Sequence, residues 1–286
     1  MKQEETLLHH PRKPKQLWLV FFIICLLFLA GIYLSLRFGA VSYSHHQLME
    51  VLRQPTVQSA VQDVVVDLRM PRILAAILVG AAMAQAGAMM QGITRNAIAD
   101  PGLLGINAGA GLAIILAFAI FGSLHYSQIL VICLLGSCLA AILVFSLSYQ
   151  AQKGYNQLRL ILSGAMVASL FSALGQAITI YFDLSTAVIG WQAGGLVQAN
   201  WKMLAMIAPF IVLGLTLAQL FAHQLTILSL NETVAKNLGQ RTFLMTLILL
   251  GIVLLQSAAA VALVGSLSFV GLIIPHFIRM FTWKNY

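Results

Sequence analysis

Charged residues are scarce in this chain. Only 8% of its 286 residues are Asp, Glu, Lys or Arg, whereas soluble domains carry about 25%. Hydrophobic residues make up 60%, and apolar runs of about 20 residues, each long enough to cross a bilayer as a helix, recur along the sequence. A soluble fold is therefore excluded. The predicted fold class is all-α, a polytopic helical membrane protein in the lipid bilayer.

Cysteine is also rare, and the sequence has no pattern of catalytic chemistry. The three cysteines, Cys25, Cys133 and Cys138, lie within apolar runs and lack the spacing of metal ligands. For the His45-His46 pair, a solvated loop is favoured over a metal site. Neither a Walker loop nor a nucleophile–base pattern occurs. We therefore predict no catalytic residue, no metal and no cofactor.

Acidic residues are missing from the middle of every apolar run. Intramembrane carboxylates are typical of proton- or sodium-coupled transporters. The nearest candidate here, Asp183, lies at the outer end of a run. A transporter with this composition would take its energy from another source.

Eight apolar runs predict eight transmembrane helices, at residues 17–36, 73–93, 103–122, 127–148, 158–181, 203–222, 242–264 and 267–281. We divide the chain into a cytoplasmic tail (1–16) and a transmembrane domain (17–286), which includes an outer segment (38–70) and a cytoplasmic loop (223–241). With the N-terminus inside, eleven of the 16 Lys and Arg residues fall on the cytoplasmic side, as the positive-inside rule expects. Topology thus explains the net charge of +8, and nucleic acid is excluded as a partner.

A polar, glycine-dense stretch, QGITRNAIADPGLLGINAGAG, interrupts the apolar sequence at residues 91–111. It predicts an inner-face turn in which Arg95 and Asp100 stay near water and Pro101 separates two helices. The flanking spans carry small residues near helical spacing, at Gly80, Ala84, Gly87, Gly105 and Gly109. Tight helix packing is the favoured interpretation of these residues, and a translocation path is the alternative.

The loop after the sixth span has the sequence of a short helix. Ser229 and Glu232 fit a capping box, and Gly239 occupies the place of a left-handed C-cap. Between them runs an apolar stripe with a spacing of four, formed by Leu230, Val234 and Leu238. The residues alone are also consistent with a helix that packs on the protein's own inner surface.

Five stretches together resemble the FecCD-type permease family of ABC importers for iron–siderophores, haem and vitamin B12. They are RMPR (69–72), the stretch 79–111, WQAGGLVQANW (191–201), LSLNETVAKNLG (228–239) and GSLSFVGLIIPHFIR (265–279). Family members usually have ten helices. The resemblance therefore implies that the last two are absent from this chain.

The resemblance also implies a function without covalent chemistry, because a separate ATPase subunit hydrolyses ATP. An external substrate-binding protein would dock at Arg69 and Arg72. Pro275 belongs with the residues predicted for helix packing or a translocation path, and a proline inside a helix predicts a kink in the last span. The ATPase would bind a coupling helix that includes Ser229, Leu230, Glu232, Val234, Ala235, Leu238 and Gly239.

The expected protein is a dimeric permease, formed with a second copy or a sister permease, in a bacterial cell membrane. Its expected cargo is an iron chelate, with a ferric siderophore favoured. Haem or cobalamin in the same machine, and an ion-coupled secondary transporter, are the alternatives.

Overall fold

The computed structural model describes residues 14–53, 59–150, 154–155, 157–184, 186, 188, 195–230 and 232–282. Most of the cytoplasmic tail, the first four residues of the 191–201 motif, and residues 151–153 and 156 between the fourth and fifth predicted spans lie outside the described residues.

The described chain is almost entirely helical, which confirms the predicted fold class. The helices for which the described residues give bounds are α1 (Pro14–Arg37), α2 (His45–Arg53), α3 (Ala60–Gln62), α4 (Met70–Thr94), α5 (Ile106–Phe121), α6 (Tyr126–Ser148), α7 (Gln157–Tyr181), α8 (Trp201–Leu220), α9 (Ala222–Ser229), α10 (Glu232–Asn237), α11 (Thr242–Val264) and α12 (Val270–Thr282). A π-helix, Asp63–Arg69, precedes α4, and 3-10 turns occupy Pro101–Leu104 and Leu196–Gln198. The two-residue strands β1 (Tyr149–Gln150) and β2 (Gly154–Tyr155) pair antiparallel.

Every apolar run predicted to span the membrane is helical, but two of the helices are shorter than predicted. Among the described residues, six helices are long and apolar enough to cross a bilayer. The helices α5 and α12 are apolar over only 106–121 and 270–280. The predicted third span, 103–122, is shortened because Pro101–Leu104 forms a 3-10 turn and Gly105 adopts a left-handed φ of 68° before α5 begins.

The chain divides into two compact units, of which the first contains Met1–Arg69 and His276–Tyr286. In this unit the described residues of the predicted outer segment (38–70) form α2, α3 and the π-helix. Leu48 and Val51 of the amphipathic α2 are buried against Val65 of the π-helix. Burial of this single apolar face holds the segment as a small folded layer.

The second unit, Met70–Pro275, contains the helical core. Helix α11 is the most buried of the six candidate spans, and it packs against α4, α6 and α8. Helix α5 packs against α6 and α7, with Gly109 facing Gly136 so closely that a Cβ on either would overlap the other's carbonyl oxygen. Small residues permit this approach of two backbones in a membrane.

Candidate functional site

Helix α10 is a short helix between α9 and α11 in the sequence. Its C-terminus is a Schellman motif: the Gln240 N–H donates to the Ala235 carbonyl (3.1 Å) and the Gly239 N–H to the Lys236 carbonyl (2.9 Å). Gly239 has a φ of 79°, a left-handed conformation that glycine adopts without a Cβ clash. The predicted C-cap geometry is therefore present.

The apolar stripe on this segment faces outward. Leu230, Val234 and Leu238 are 39%, 44% and 62% exposed, whereas Ala235 is fully buried. Helix α10 is thus anchored through one side, where it contacts α9 and α11. A helix that merely packed on the protein's own surface would bury its apolar stripe, so this arrangement favours a partner surface.

The start of α10 differs from the prediction. The capping box required Ser229 to precede the helix, but Ser229 is the last residue of α9 and α10 begins at Glu232. The Ser229 hydroxyl donates to the Thr226 carbonyl at 2.7 Å. A serine hydroxyl can bind a carbonyl of the preceding turn instead of capping the next helix. Ser229 makes the former contact and therefore belongs to α9.

The polar stretch between α4 and α5 begins with exposed turn residues, Arg95, Ala97 and Ile98, and then folds back along α4. A Cβ built on Gly271 would lie 3.0 Å from both Asp100 Oδ2 and the Met83 carbonyl oxygen. Met83 precedes the end of α4 by 11 residues, a distance of about 16 Å along a helix. We name residues 95–105 the re-entrant segment. Asp100 is half-buried and lies deeper along α4 than the predicted turn, whereas Arg95 is exposed as predicted.

The start of α5 lies at a similar depth. The Ile106 carbonyl accepts a hydrogen bond from the hydroxyl of Ser137 (3.2 Å), near the middle of α6. Asn107 Nδ2 donates to the Leu267 carbonyl at 2.6 Å. Irregular backbone at membrane depth must be satisfied by neighbouring protein, and these two contacts serve that purpose.

Asp100 holds the turn within the re-entrant segment. Its Oδ1 accepts the Gly102 N–H at 2.7 Å, so Asp100 caps the 3-10 turn that starts at Pro101. The packing around Asp100 leaves no room for a side chain at Gly271, because an added Cβ there would also lie 2.9 Å from Pro101 Cδ. The start of α12 therefore packs in close contact with the re-entrant segment.

The C-terminal end of α4 is attached to α9. Arg95 donates to the Leu228 carbonyl from Nε (3.1 Å) and from Nη2 (3.0 Å). Just before it, an added Cβ on Gly92 would lie 2.9 Å from Leu225 Cδ1. The segment that leads into α10 is thus in direct contact with the segment that enters the membrane core.

A buried amide pair joins two core helices, and it was not predicted. Gln256 of α11 is fully buried, and its Nε2 donates to Gln85 Oε1 of α4 at 2.7 Å. Gly214 of α8 makes room for the same side chain, because a Cβ there would lie 2.6 Å from Gln256 Cγ. The sequence signal for this contact was the presence of glutamines within otherwise apolar helices.

The two outer arginines have different surroundings. Within the first unit, the Arg69 guanidinium donates to the Leu36 carbonyl (2.6 Å) and to the Val41 carbonyl, and it lies 5.0 Å from the Tyr43 ring centroid. Within the second unit, Arg72 Nη2 donates to the Val197 carbonyl at 3.1 Å. Arg69 is buried, whereas Arg72 is partly accessible.

The residues predicted for helix packing or for a translocation path lie in different environments. Gly87 directly faces Gly271, and an added Cβ would overlap the Gly271 carbonyl group. An added Cβ on Gly80 would meet no described atom within 4 Å. Gly105 is buried and left-handed, Ala84 is half-buried, and Pro275 is buried within α12. Close helix contact therefore applies to Gly87 and Gly109 in particular.

Comparison with known proteins identifies the family. The family model described as "FecCD transport family" matches residues 26–286. The chain is 36% identical over 265 residues to the iron(3+)-hydroxamate import system permease protein FhuB of Bacillus subtilis, covering 92% of this chain and 68% of that protein. It is 36% identical over 258 residues to the ferric enterobactin permease FepD of Escherichia coli, covering 90% and 77% of the two chains.

Further similarity extends to a hemin permease and to a solved structure. The hemin transport system permease protein HmuU of Yersinia pestis is 35% identical over 280 residues, with 94% of this chain and 80% of that protein covered. An inward-facing structure of an ABC transporter described as metal-chelate type superposes with a TM-score of 0.76 at 31% identity. That match covers 94% of this chain and 82% of the solved one.

These matches decide between the classes of transporter that the sequence left open. A permease of this family works with an ATPase that is a separate subunit, so the ion-coupled alternative is excluded. The multi-span fold places the protein in a cell membrane. The chain belongs to the FecCD transport family and is a transmembrane permease subunit of an ABC importer.

Proposed function

We propose that this chain imports iron chelates, with a ferric siderophore as the favoured cargo, in a dimer with a second copy or a sister permease. The observation that carries the proposal is the exposed apolar stripe on a well-capped α10, in a chain similar throughout to permeases of iron chelates. A partner ATPase would supply the energy, and an external binding protein would deliver the cargo.

The cargo is inferred from the relatives. Proteins named for iron(3+)-hydroxamate, Fe(3+)-citrate and ferric enterobactin are 36%, 33% and 36% identical to this chain. Haem is the second candidate, because the hemin permease is 35% identical over a longer alignment of 280 residues. Measured uptake of ferric chelates and of hemin distinguishes the two cargoes.

Docking of the ATPase is proposed at the stripe formed by Leu230, Val234 and Leu238. Desolvation of exposed apolar side chains is the main favourable contribution at the centre of a protein interface. The buried Ala235 and the Schellman cap at Gly239 keep the stripe in one orientation before the partner arrives. Such preorganisation lowers the entropy cost of binding.

Docking of the binding protein is proposed at the outer arginines, to acidic residues of that protein. Arg72 is the better-placed of the two, because only one contact, to the Val197 carbonyl, is described for its guanidinium and the side chain is partly accessible. Arg69 makes two carbonyl hydrogen bonds within its own unit. We therefore propose that Arg69 shapes the outer segment and that Arg72 contacts the partner.

The proposed orientation has the N-terminus in the cytoplasm. Eleven of the 16 Lys and Arg residues then lie on the cytoplasmic side, in keeping with the positive-inside rule. This orientation also puts α10 on the same side of the membrane as ATP.

Uptake of radiolabelled ferric hydroxamate, ferric citrate, ferric enterobactin and hemin tests the proposal. The cells would lack this gene and be compared with and without the restored chain. Restored uptake of one ferric chelate is expected. Restoration of hemin uptake alone would transfer the assignment to haem, and restoration of none would refute the proposed cargo class.

A further inference from the structure

The side chain of Arg95 binds the end of α9 through two nitrogens. Two nitrogens of one guanidinium, Nε and Nη2, converge on the single carbonyl of Leu228 at 3.1 and 3.0 Å. The backbone of Arg95 is left-handed, with a φ of 52°, a conformation that is uncommon for residues other than glycine. The chain therefore turns sharply at Arg95 while the side chain reaches α9.

The carbonyl that Arg95 binds lies in the last turn of α9. Carbonyls in the last turn of a helix lack intrahelical partners and carry the negative end of the helix dipole. A cation that binds there both satisfies an acceptor and complements the dipole. Arg95 thus stabilises the end of α9, four residues before α10 begins at Glu232.

A second hydrogen bond ties the far end of α10 to the same helix. Gln240 Nε2 donates to the Gln224 carbonyl of α9 at 2.9 Å. Helices α9 and α10 are therefore linked both before and after α10. A displacement of α10 would therefore be transmitted to α9, and from α9 to Arg95, which binds its last turn.

On the other side of Arg95, the chain enters the membrane core within five residues. Asp100 lies beside Met83 and Gly271, and Asn107 binds the Leu267 carbonyl. The re-entrant segment therefore contacts both α4 and the start of α12. Arg95 is the first residue of this segment, so one residue joins the core to the end of α9.

We propose that Arg95 is a positioning residue that couples the movement of α10 to the re-entrant segment. The inference rests on the proposed function, because it requires α10 to be the surface that the ATPase moves. It adds a specific connection: the Arg95–Leu228 contact makes the α9–α10 pair and residues 95–105 move together. Without the Arg95–Leu228 contact, ATP hydrolysis would continue, but residues 95–105 would no longer move with α10.

The first test compares Arg95→Gln with the unaltered chain in the purified complex with its ATPase and binding protein. ATP hydrolysis and cargo uptake are both measured, and their ratio is the readout. Arg95→Gln is expected to retain hydrolysis and to reduce uptake per ATP about tenfold, the factor corresponding to one charge-assisted hydrogen bond. Arg95→Lys retains the charge but loses the two-nitrogen contact, so an intermediate ratio is expected.

The matched control is Arg159→Gln. Arg159 is an exposed arginine near the start of α7, and the described contact at that position, from the Ser163 hydroxyl, involves only its main-chain carbonyl. This variant is expected to leave the ratio unchanged. A similar fall in both Arg159→Gln and Arg95→Gln would overturn the inference, because loss of any inner positive charge would then suffice.

The second test measures movement directly. Spin labels are placed on Ile98→Cys and Asn237→Cys, at exposed positions of the re-entrant segment and α10, after replacement of the three native cysteines. In the labelled protein that retains Arg95, the distance between the labels should be the same with and without bound ATP. In Arg95→Gln it should change between the two states. A distance that changes equally in both backgrounds would overturn the inference.

Failure of this inference is distinguishable from failure of the proposed function. If the unaltered complex neither hydrolyses ATP nor imports cargo, the proposed function fails and this inference with it. If the unaltered complex is active and Arg95→Gln has the same uptake per ATP, only the role of Arg95 is refuted. A parallel fall in hydrolysis and uptake would also refute it, because Arg95 would then serve assembly alone.

Discussion

Gly80 and Gly87 lie seven residues apart on α4, and the same substitution should affect them in opposite directions. An added Cβ on Gly87 would overlap the carbonyl group of Gly271, a backbone group that cannot rotate away. An added Cβ on Gly80 would meet no described atom within 4 Å. Alanine at the two positions therefore tests whether the α4–α12 contact is as close as the structure indicates.

The expected magnitude follows from two opposing effects. Replacing glycine by alanine in a helix interior is favourable by about 1 kcal/mol. Overpacking a tight contact typically costs about 1–3 kcal/mol, and a backbone obstacle favours the upper end. Gly80→Ala should therefore stabilise by up to about 1 kcal/mol and Gly87→Ala should destabilise by about 2 kcal/mol. The two variants therefore differ by about 2–3 kcal/mol, and at about 2–4 °C per kcal/mol their apparent midpoints should differ by about 4–12 °C.

A native thiol supplies the assay. Cys133 is fully buried in the core of the second unit, so a fluorogenic maleimide reacts with it only after that core opens. Cys25 and Cys138 are partly accessible and are replaced by serine in all variants. Thermal unfolding in detergent then gives one midpoint for each protein. Equal midpoints for Gly80→Ala and Gly87→Ala would refute the close contact between α4 and α12.

Two further predictions concern polar contacts. Arg72→Glu should abolish uptake while the ATPase still co-purifies, because the outer partner meets a reversed charge. The matched variant Lys202→Glu, at the exposed second residue of α8, should retain uptake, and equal losses would refute a specific role for Arg72. Asn107→Ala should lower the free energy of unfolding by about 1–3 kcal/mol, because the Leu267 carbonyl loses its donor in the membrane interior. Thiol accessibility of Cys133 measures that change, and an unaltered midpoint would contradict the assigned hydrogen bond.

The features that sequence reasoning predicted depend on neighbouring residues. The membrane helices followed from uninterrupted apolar runs, and the left-handed end of α10 followed from Gly239 after an apolar stripe. A glycine at that place favours one local conformation whatever the rest of the chain does. The capping box was less decisive, because Ser229 can serve either the end of one helix or the start of the next.

The features that were missed depend on residues far apart in the sequence. The depth of Asp100 is set by its contact with Gly271, and no periodicity relates the two. The same holds for the Gln85–Gln256 pair, for Gly136 opposite Gly109, and for Arg95 on the Leu228 carbonyl. Counting apolar residues identifies which segments enter a membrane, but polar backbone at depth becomes acceptable only once its partners are known.

The central claim is that a partner ATPase drives this chain through the exposed stripe on α10. The most direct measurement is ATP-dependent cargo uptake into vesicles that contain the complete complex, with the unaltered chain or with Val234→Asp and Leu238→Asp together. Leu52→Asp, at an exposed apolar residue of α2, is the control. The account predicts uptake by the unaltered chain and the control, and its loss from the α10 variant. Undiminished uptake by the α10 variant would contradict the account.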